Sequence, residues 1–190
     1  MKIAILTNEY PPHVYGGAGV HVEYLVRHLT STLDGDATIE VLCFGDHRQR
    51  SDRLRVTGIT ANFRPPSHDQ PDGRFIDVLI RNAIMTGAVQ SADVIHCHTW
   101  YTHLAGCLLK QITRARLVLT THSLEPHRRW KQEQLGTAYN ASSWVEKAAY
   151  ENADGVIFIS DWMGRSLRQV YAVPPEKIRE IHNGLDVDEY

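Results

Sequence analysis

The chain opens with a strand, a Gly-rich loop and a helix, and this order constrains the fold more than any other feature of the sequence. An apolar run, MKIAIL, is followed by TNEYPPHVYGGAGVHVEYLVRHL, in which two prolines and three glycines precede an amphipathic helical pattern. The first backbone N–H groups of a helix lack internal partners, and glycine lets a ligand approach the backbone closely. The arrangement therefore indicates an α/β protein that holds a phosphate group. A turn that only caps the helix would use the same glycines.

Two common nucleotide-binding motifs do not fit this loop. The P-loop motif requires a Lys-Ser/Thr pair after its glycines, and the sequence has none there. The dinucleotide motif G-x-G-x-x-G is matched by Gly17 and Gly19, but Val22 stands where the last glycine belongs. The loop is thus more typical of one wall of a substrate cleft than of a tight dinucleotide turn.

Apolar segments of strand length alternate with helical patterns along the rest of the chain. Strands are predicted at residues 1–6, 38–44, 53–59, 93–97, 117–121, 155–159 and 177–182. Helices are predicted at residues 18–33, 75–89, 104–109, 126–133, 139–152 and 160–171, with a loop at 64–73. Trp144 is expected on the buried side of its helix. This alternation predicts an α/β fold with a Rossmann-like, three-layer parallel sheet, in one domain over residues 1–190.

Composition and charge exclude several classes of protein. The 190 residues carry a net charge of −2, which gives no electrostatic case for a nucleic-acid partner. No apolar run is long enough to span a bilayer, and the N-terminus does not have the pattern of a signal peptide. Three cysteines in apolar contexts are typical of reduced thiols, so a cytoplasmic location is expected.

Polar and aromatic residues collect where the predicted strands end, which is where open α/β sheets bind ligands. His96 and His98 are two residues apart on one strand and should face the same side, as a metal-binding pair would. No third ligand follows at a fixed spacing, and neither HExxH nor CxxC occurs, so no metal and no cofactor is expected. Trp100, Tyr101 and Trp130 could stack on sugar rings or belong to the core.

Six ordered segments resemble the N-terminal half of a family-four glycosyltransferase, and are most similar to glycogen synthases of the actinobacterial type, including those that make maltose 1-phosphate from ADP-glucose. They are NEYPP, YGGAGVHVEYL, VIHCHTWYT, LTTHSLEP, SSWVEKAAYENADGVIFIS and IHNGLDVDEY. The resemblance implies a GT-B fold, in which two Rossmann-like domains face each other across a cleft. This chain would be the acceptor-side domain, and the C-terminal donor domain would be absent from it.

The resemblance also implies roles for individual residues. His122 matches the catalytic histidine that contacts the transferred glucose. The loop that approaches the donor diphosphate matches Gly16, Gly17 and Ala18. The acceptor-binding side matches Glu9, Tyr15, His98, Thr99, Trp100 and Tyr101. Val14 and Tyr15 stand where starch-synthase relatives carry a lysine, and Thr99 stands where they often carry Asp, so the acceptor is left open.

The function implied is that of a retaining glucosyltransferase in glycogen biosynthesis. Glucose would pass from the nucleotide sugar ADP-glucose to an α-glucan or to glucose 1-phosphate, and this chain alone would be inactive. No paired carboxylates of the glycosidase type appear, which fits catalysis by positioning and electrostatics. Two alternatives remain at this point: a non-catalytic sugar- or phosphate-binding module, and an NAD-dependent oxidoreductase with Asp46 on the ribose.

Overall fold

Strands and helices alternate along the chain in a computed structural model that describes residues 1–63, 71–128 and 130–184. The strands are β1 (Lys2–Leu6), β2 (Thr38–Phe44), β3 (Arg48–Arg50), β4 (Leu54–Ile59), β5 (Val94–His98), β6 (Arg116–Thr121), β7 (Gly155–Phe158) and β8 (Ile178–Glu180). The helices are α1 (Gly17–Thr32), α2 (Pro71–Ala88), α3 (His103–Thr113), α4 (Trp130–Leu135), α5 (Ala138–Asn152) and α6 (Asp161–Tyr171). Short 3₁₀ turns lie at Trp100–Thr102, Glu125–His127 and Pro175–Lys177.

The strands form one eight-stranded sheet in the order β3-β4-β2-β1-β5-β6-β7-β8. Every neighbouring pair is parallel except β3 with β4. The predicted α/β fold with a parallel sheet is therefore confirmed. The strand order reverses between β1 and β5, and a ligand crevice is expected at this point of such a sheet.

Helices cover both faces of the sheet. Successive side chains of β1 point to opposite faces, so each face contributes apolar residues to a different cluster. Ile3 and Ile5 belong to an apolar cluster with Val22 and Val26 of α1. Leu6 belongs to a second cluster, which includes residues of α2, α3, α5 and α6. These two clusters are the interfaces of a three-layer fold.

Two predicted boundaries are wrong. Helix α2 begins at Pro71, so the last three residues of the loop predicted at 64–73 are helical, while residues 64–70 lie outside the described residues. Proline is well suited to the first turn of a helix, where its missing N–H is not needed. The helix predicted at 126–133 is divided into the 3₁₀ turn Glu125–His127 and α4.

Strand β3 was not predicted because it carries no apolar alternation. Its three residues, Arg48–Arg50, are all exposed and pair antiparallel with β4 at the edge of the sheet. Pairing geometry rather than burial makes them a strand, and a hydrophobic pattern does not record that.

The placement of Trp144 in the core is also wrong, since its side chain is 65% exposed. The buried face of α5 includes Ser142, Val145, Glu146 and Ala149. Two of these are polar residues that bond to partners from distant parts of the chain, and a hydrophobic stripe cannot reveal a face of that kind.

Candidate functional site

A hydrogen bond crosses the crevice between β1 and β5. The Thr99 hydroxyl donates to the side-chain oxygen of Asn8 over 2.8 Å, joining the segments that follow the two strands. Thr99 has φ 65° and ψ 156°, a backbone conformation that glycine adopts readily and a β-branched residue rarely does. Such backbone strain concentrates at functional sites, so this edge of the sheet is a candidate functional site.

The Glu9 carboxylate holds the Gly-rich loop. Its Oε2 accepts hydrogen bonds from the backbone amides of Tyr15 and Gly16, each over 2.8 Å. Its Oε1 accepts a bond from the side-chain amide of Asn8 over 3.3 Å. Thr99, Asn8, Glu9 and the loop are thus linked in series. These contacts give Glu9 a role in shaping the loop, and its acceptor contact stays a prediction.

The Gly-rich loop leads directly into α1, with Gly16 as the N-cap and Gly17 as the first helical residue. A Cβ atom at Gly17 would meet nothing within 4 Å, so the backbone there is open to a ligand. A Cβ atom at Gly19 would lie 2.9 Å from Glu9 Cβ and 3.0 Å from Val14 Cγ1. Gly19 is therefore required by packing, whereas Gly17 is not.

Three histidines from three elements meet beside the start of α1. His21 lies on α1, one turn after Gly17, His98 ends β5, and His122 follows β6. The His21 ring centroid is 5.6 Å from that of His98 and 5.0 Å from that of His122. Because residues four apart lie on one side of a helix, His21 brings the Gly loop and the strand-end histidines together.

The rings of His98 and His122 are hydrogen-bonded to each other, with 3.1 Å between Nδ1 of His98 and Nε2 of His122. His98 is completely buried, and its other nitrogen, Nε2, has no hydrogen-bond partner among the described residues. Burial, together with the nearby imidazoles of His21 and His96, lowers the pKa of His122 to about 3. Burial likewise holds the pKa of His98 well below its ordinary value. Both rings are therefore neutral at neutral pH.

His96 and His98 face the same side of β5, as predicted, with ring centroids 4.3 Å apart. Nε2 of His96 bonds to the Thr120 hydroxyl over 2.7 Å. Burial lowers the pKa of His96 to about 4, so this ring is also neutral. It lies behind His98 and is itself buried.

A cavity of about 550 Å³ opens at the same edge of the sheet. It is lined by Asn8, His13, Tyr15, Phe44, Gly45, Asp46, Thr60, Asp77, Arg81 and Tyr101. Two of the predicted acceptor residues, Tyr15 and Tyr101, therefore lie at one cavity. The Tyr15 side chain is 82% exposed and available for contact with a ligand.

Trp100 has a different position from the one expected of an acceptor contact. Its indole is 3% exposed and stacks on Phe75, with 6.0 Å between ring centroids. The side chain is part of an apolar cluster under α2 and α5. The structure therefore leaves Trp100 out of the acceptor surface. Trp130, by contrast, is 58% exposed.

Two contributions to the site were missed from the sequence. His21 carried a signal in its i,i+4 spacing from Gly17, but nothing in the chain linked it to His98 or His122. The pair of Asp77 and Arg81 on α2, with 2.7 Å between Nε and Oδ2, comes from a distant helix and has no motif.

Comparisons with known proteins test the family resemblance that the sequence motifs indicate. A family model for Glycosyltransferase Family 4 matches residues 15–189. The chain belongs to glycosyltransferase family 4. The family-4 chain is 41% identical over 191 residues to α-maltose-1-phosphate synthase of Mycolicibacterium smegmatis, covering 98% of itself and 45% of that protein. It is 24% identical over 206 residues to glycogen synthase of Mycobacterium tuberculosis, covering 98% and 49%.

Solved structures show the same fold as this family-4 domain. The sucrose-phosphate synthase of Thermosynechococcus elongatus superimposes with a TM-score of 0.68 at 20% identity, covering 98% of this chain and 49% of that one. The catalytic domain of Arabidopsis thaliana starch synthase IV, bound to ADP and acarbose, gives a TM-score of 0.64 at 15% identity, covering 98% and 52%. The domain is thus one half of a GT-B fold and spans about half the length of its relatives. Among the described helices, none has the length and apolar character to cross a membrane.

Proposed function

We propose that this chain is the acceptor-side domain of a retaining glucosyltransferase that transfers glucose from ADP-glucose to an α-glucan or to glucose 1-phosphate, in glycogen biosynthesis. The observation that carries the proposal is the meeting of His122 with the first turns of α1 through His21, at the sheet edge that also bears the cavity. A second domain outside this chain would hold most of the donor. The family assignment leaves no reason to keep the oxidoreductase alternative.

The start of α1 suits the donor diphosphate. The N-terminus of a helix carries a partial positive charge and N–H groups without intrahelical partners, and both favour a phosphate. Gly17 and Ala18 are in position to offer these groups, whereas the Gly16 amide already donates to Oε2 of Glu9. The open space beside Gly17 lets a phosphate oxygen reach the backbone.

His122 suits a contact with a sugar hydroxyl. Its ring is neutral, because burial holds its pKa at about 3, so it serves as a hydrogen-bond partner and not as an acid. Nε2 faces His98, which leaves Nδ1 as the nitrogen for the sugar. A ring held in this way positions the transferred glucose at no cost in reorganisation.

The cavity suits a sugar acceptor. Tyr15 and Tyr101 offer aromatic surfaces, and the carboxylates of Asp46 and Asp77 can accept bonds from sugar hydroxyls. Arg81 supplies a positive charge for the phosphate of glucose 1-phosphate, although it also bonds to Asp77. The name of the relative from M. smegmatis, α-maltose-1-phosphate synthase, favours the sugar phosphate, and that of the M. tuberculosis relative, glycogen synthase, favours the glucan.

The chemistry proposed needs no carboxylate nucleophile. The acceptor oxygen would bond to C1 of glucose while the bond from C1 to the diphosphate oxygen breaks, and the acceptor proton would pass to the departing phosphate. Glu125 and Glu146 are both buried and cannot reach a substrate. The backbone amide of Glu125 donates a hydrogen bond to the Glu146 carboxylate. The described part of the chain thus offers positioning and electrostatic stabilisation.

The location we propose is the cytoplasm. Cys43, Cys97 and Cys107 are free thiols, which accords with a reducing compartment. ADP-glucose and glucose 1-phosphate are charged metabolites that such a compartment would supply.

The test compares this chain with the longer protein that would contain it. Each is incubated with ADP-glucose and either glucose 1-phosphate or a malto-oligosaccharide, and the product linkage is read by NMR. We expect an α-linked product from the longer protein only. Efficient transfer by the 190-residue chain alone would contradict the division of labour between two domains. Acceptor binding without transfer by the longer protein would identify a non-catalytic binding module instead.

A further inference from the structure

We propose that His21, His98 and His122 form a binding site for a divalent transition metal ion of the zinc type. One ligand nitrogen from each ring lies within 4.8 Å of the others. No spacing along the chain predicts this set of ligands, because they come from α1, β5 and the segment after β6.

The distances are close to those of a tetrahedral site. Zinc–nitrogen bonds of about 2.0–2.1 Å place two ligand nitrogens roughly 3.4 Å apart. Nδ1 of His98 and Nε2 of His122 are already 3.1 Å apart. The nitrogen from His21 lies within 4.8 Å of these two. Three protein ligands with a water molecule or substrate in the fourth position are a common arrangement for zinc.

The protonation state of the rings also suits a metal. Imidazole binds a metal through a ring nitrogen that carries no hydrogen. The bond between His98 and His122 contains one N–H hydrogen. On metal binding this hydrogen moves to the other nitrogen of its own ring, so that both facing lone pairs reach the metal and no proton is released. Nε2 of His98, buried and without a partner among the described residues, is free to carry a hydrogen.

The three imidazole ligands make the site selective for soft or borderline cations. Imidazoles favour zinc, copper and nickel over magnesium and calcium, which prefer oxygen ligands. His96 lies next to His98, but its Nε2 is hydrogen-bonded to the Thr120 hydroxyl, so His96 is not one of the ligands. Magnesium is therefore the natural negative control.

The experiment measures zinc binding by competition with a chelating dye, on purified protein from which any affinity tag has been removed. Cobalt serves as a spectroscopic probe, since a tetrahedral cobalt site absorbs visible light strongly. We expect one ion per chain, the tetrahedral cobalt spectrum and no effect of magnesium. His21→Asn and His122→Asn should each weaken zinc binding by about 100-fold, because each removes a direct ligand. His28→Asn, seven residues further along α1, is the matched control and should bind as the original does.

Two results would overturn the proposal: zinc binding that His21→Asn leaves unchanged, or no saturable binding of one ion. His21 is only partly buried, so this variant keeps the test valid if His122→Asn folds poorly. A zinc-dependent rise in melting temperature, present in the original protein and absent in His21→Asn, gives a second reading of the same site.

A consequence for activity rests on the proposed function. A metal that takes Nε2 of His122 fixes the ring and occupies the space beside it, so zinc should inhibit glucosyl transfer with the midpoint of binding. Zinc that binds at these histidines without inhibiting transfer would remove this consequence and leave the metal site standing.

Discussion

The carboxylate of Glu9 accepts a hydrogen bond from the backbone amide of Gly16, with 2.8 Å between Oε2 and the nitrogen. The same oxygen accepts the amide of Tyr15, and the other oxygen accepts the side chain of Asn8. One acidic side chain therefore fixes the approach to α1. The shape of the proposed donor loop depends on it.

Replacing Glu9 tests this dependence. Glu9→Ala should lower the free energy of unfolding by about 1–3 kcal/mol, because two loop amides lose their acceptor. Glu9→Gln keeps an oxygen that can accept both bonds and should cost less than about 1 kcal/mol. Urea unfolding measures both. Glu23→Ala is the control, since Glu23 makes an exposed pair with Arg27 at 3.4 Å. Equal losses at Glu9 and Glu23 would remove Glu9 from this role.

The two glycines at the start of α1 should respond in opposite ways to alanine. Gly19→Ala would force a Cβ to within 2.9 Å of Glu9, so we expect a loss of about 1–3 kcal/mol in stability. Gly17→Ala meets nothing within 4 Å and should keep or slightly raise stability. Its methyl group would nevertheless stand where a phosphate is proposed to approach, so transfer by the longer protein should fall. Melting curves and initial rates separate the two effects. Full activity in Gly17→Ala would argue against the phosphate position.

The backbone of Thr99 offers a test of strain. Thr99→Ala removes the hydrogen bond to Asn8 but leaves a side chain on a residue with φ 65°. Thr99→Gly removes the same hydrogen bond and also relieves the backbone strain, because glycine has no Cβ atom. We therefore expect the glycine variant to be more stable than the alanine variant by about 1–2 kcal/mol. Chemical unfolding of the pair is the measurement. An alanine variant as stable as the glycine variant would mean that this backbone conformation is not maintained.

His122→Ala in the longer protein should lower turnover by about 100-fold, because a positioned hydrogen bond to the sugar is lost. The fold should persist, with a loss of about 1–2 kcal/mol as His98 loses its partner. Steady-state kinetics and a melting curve provide the two values. Unchanged turnover in a folded variant would remove His122 from the site.

The buried carboxyl of Glu146 should make stability fall as pH rises. Burial raises its pKa from 4.5 to about 8, against the lowering effect of the bonds that it accepts from the Tyr171 hydroxyl and the Glu125 amide. Between these two pH values the folded chain keeps a proton that the unfolded chain has lost, so the free energy of unfolding decreases through that window.

The variant Glu146→Gln isolates this effect, because glutamine keeps an acceptor and does not ionise. The difference in unfolding free energy between the original and the variant should change by about 2–4 kcal/mol across the window, with the original losing stability towards high pH. Subtracting the two profiles removes the contributions of the histidines. Parallel profiles would show that Glu146 does not hold its proton.

The sequence predicted the parts of this fold that depend on local patterns. Alternating strands and helices and the shared face of His96 and His98 follow from periodicity along the chain. Serine is a residue type that favours the start of a helix, and the Ser160 hydroxyl accepts a hydrogen bond from the backbone amide of Met163 at the start of α6. Such features need no knowledge of distant residues, and the structure confirms them.

What the sequence could not predict depends on contacts between distant segments. His21 joins His98 and His122 across about a hundred residues of chain, and no spacing rule links them. Trp144 was misplaced because Glu146, the charged residue beside it on α5, turns inward to meet Glu125 and Tyr171. In both cases a polar group finds its partner only after the sheet has formed, and composition cannot reveal the pairing in advance.

The two outermost strands of the sheet, β3 and β8, are each three residues long, and their exposed side chains include Arg48, Arg50, Arg179 and Glu180. An unpaired sheet border invites strands from other molecules, and brevity together with charge discourages them. Growth of the sheet by edge-to-edge association is thus opposed at both ends. We therefore expect the domain to resist strand-mediated association with copies of itself.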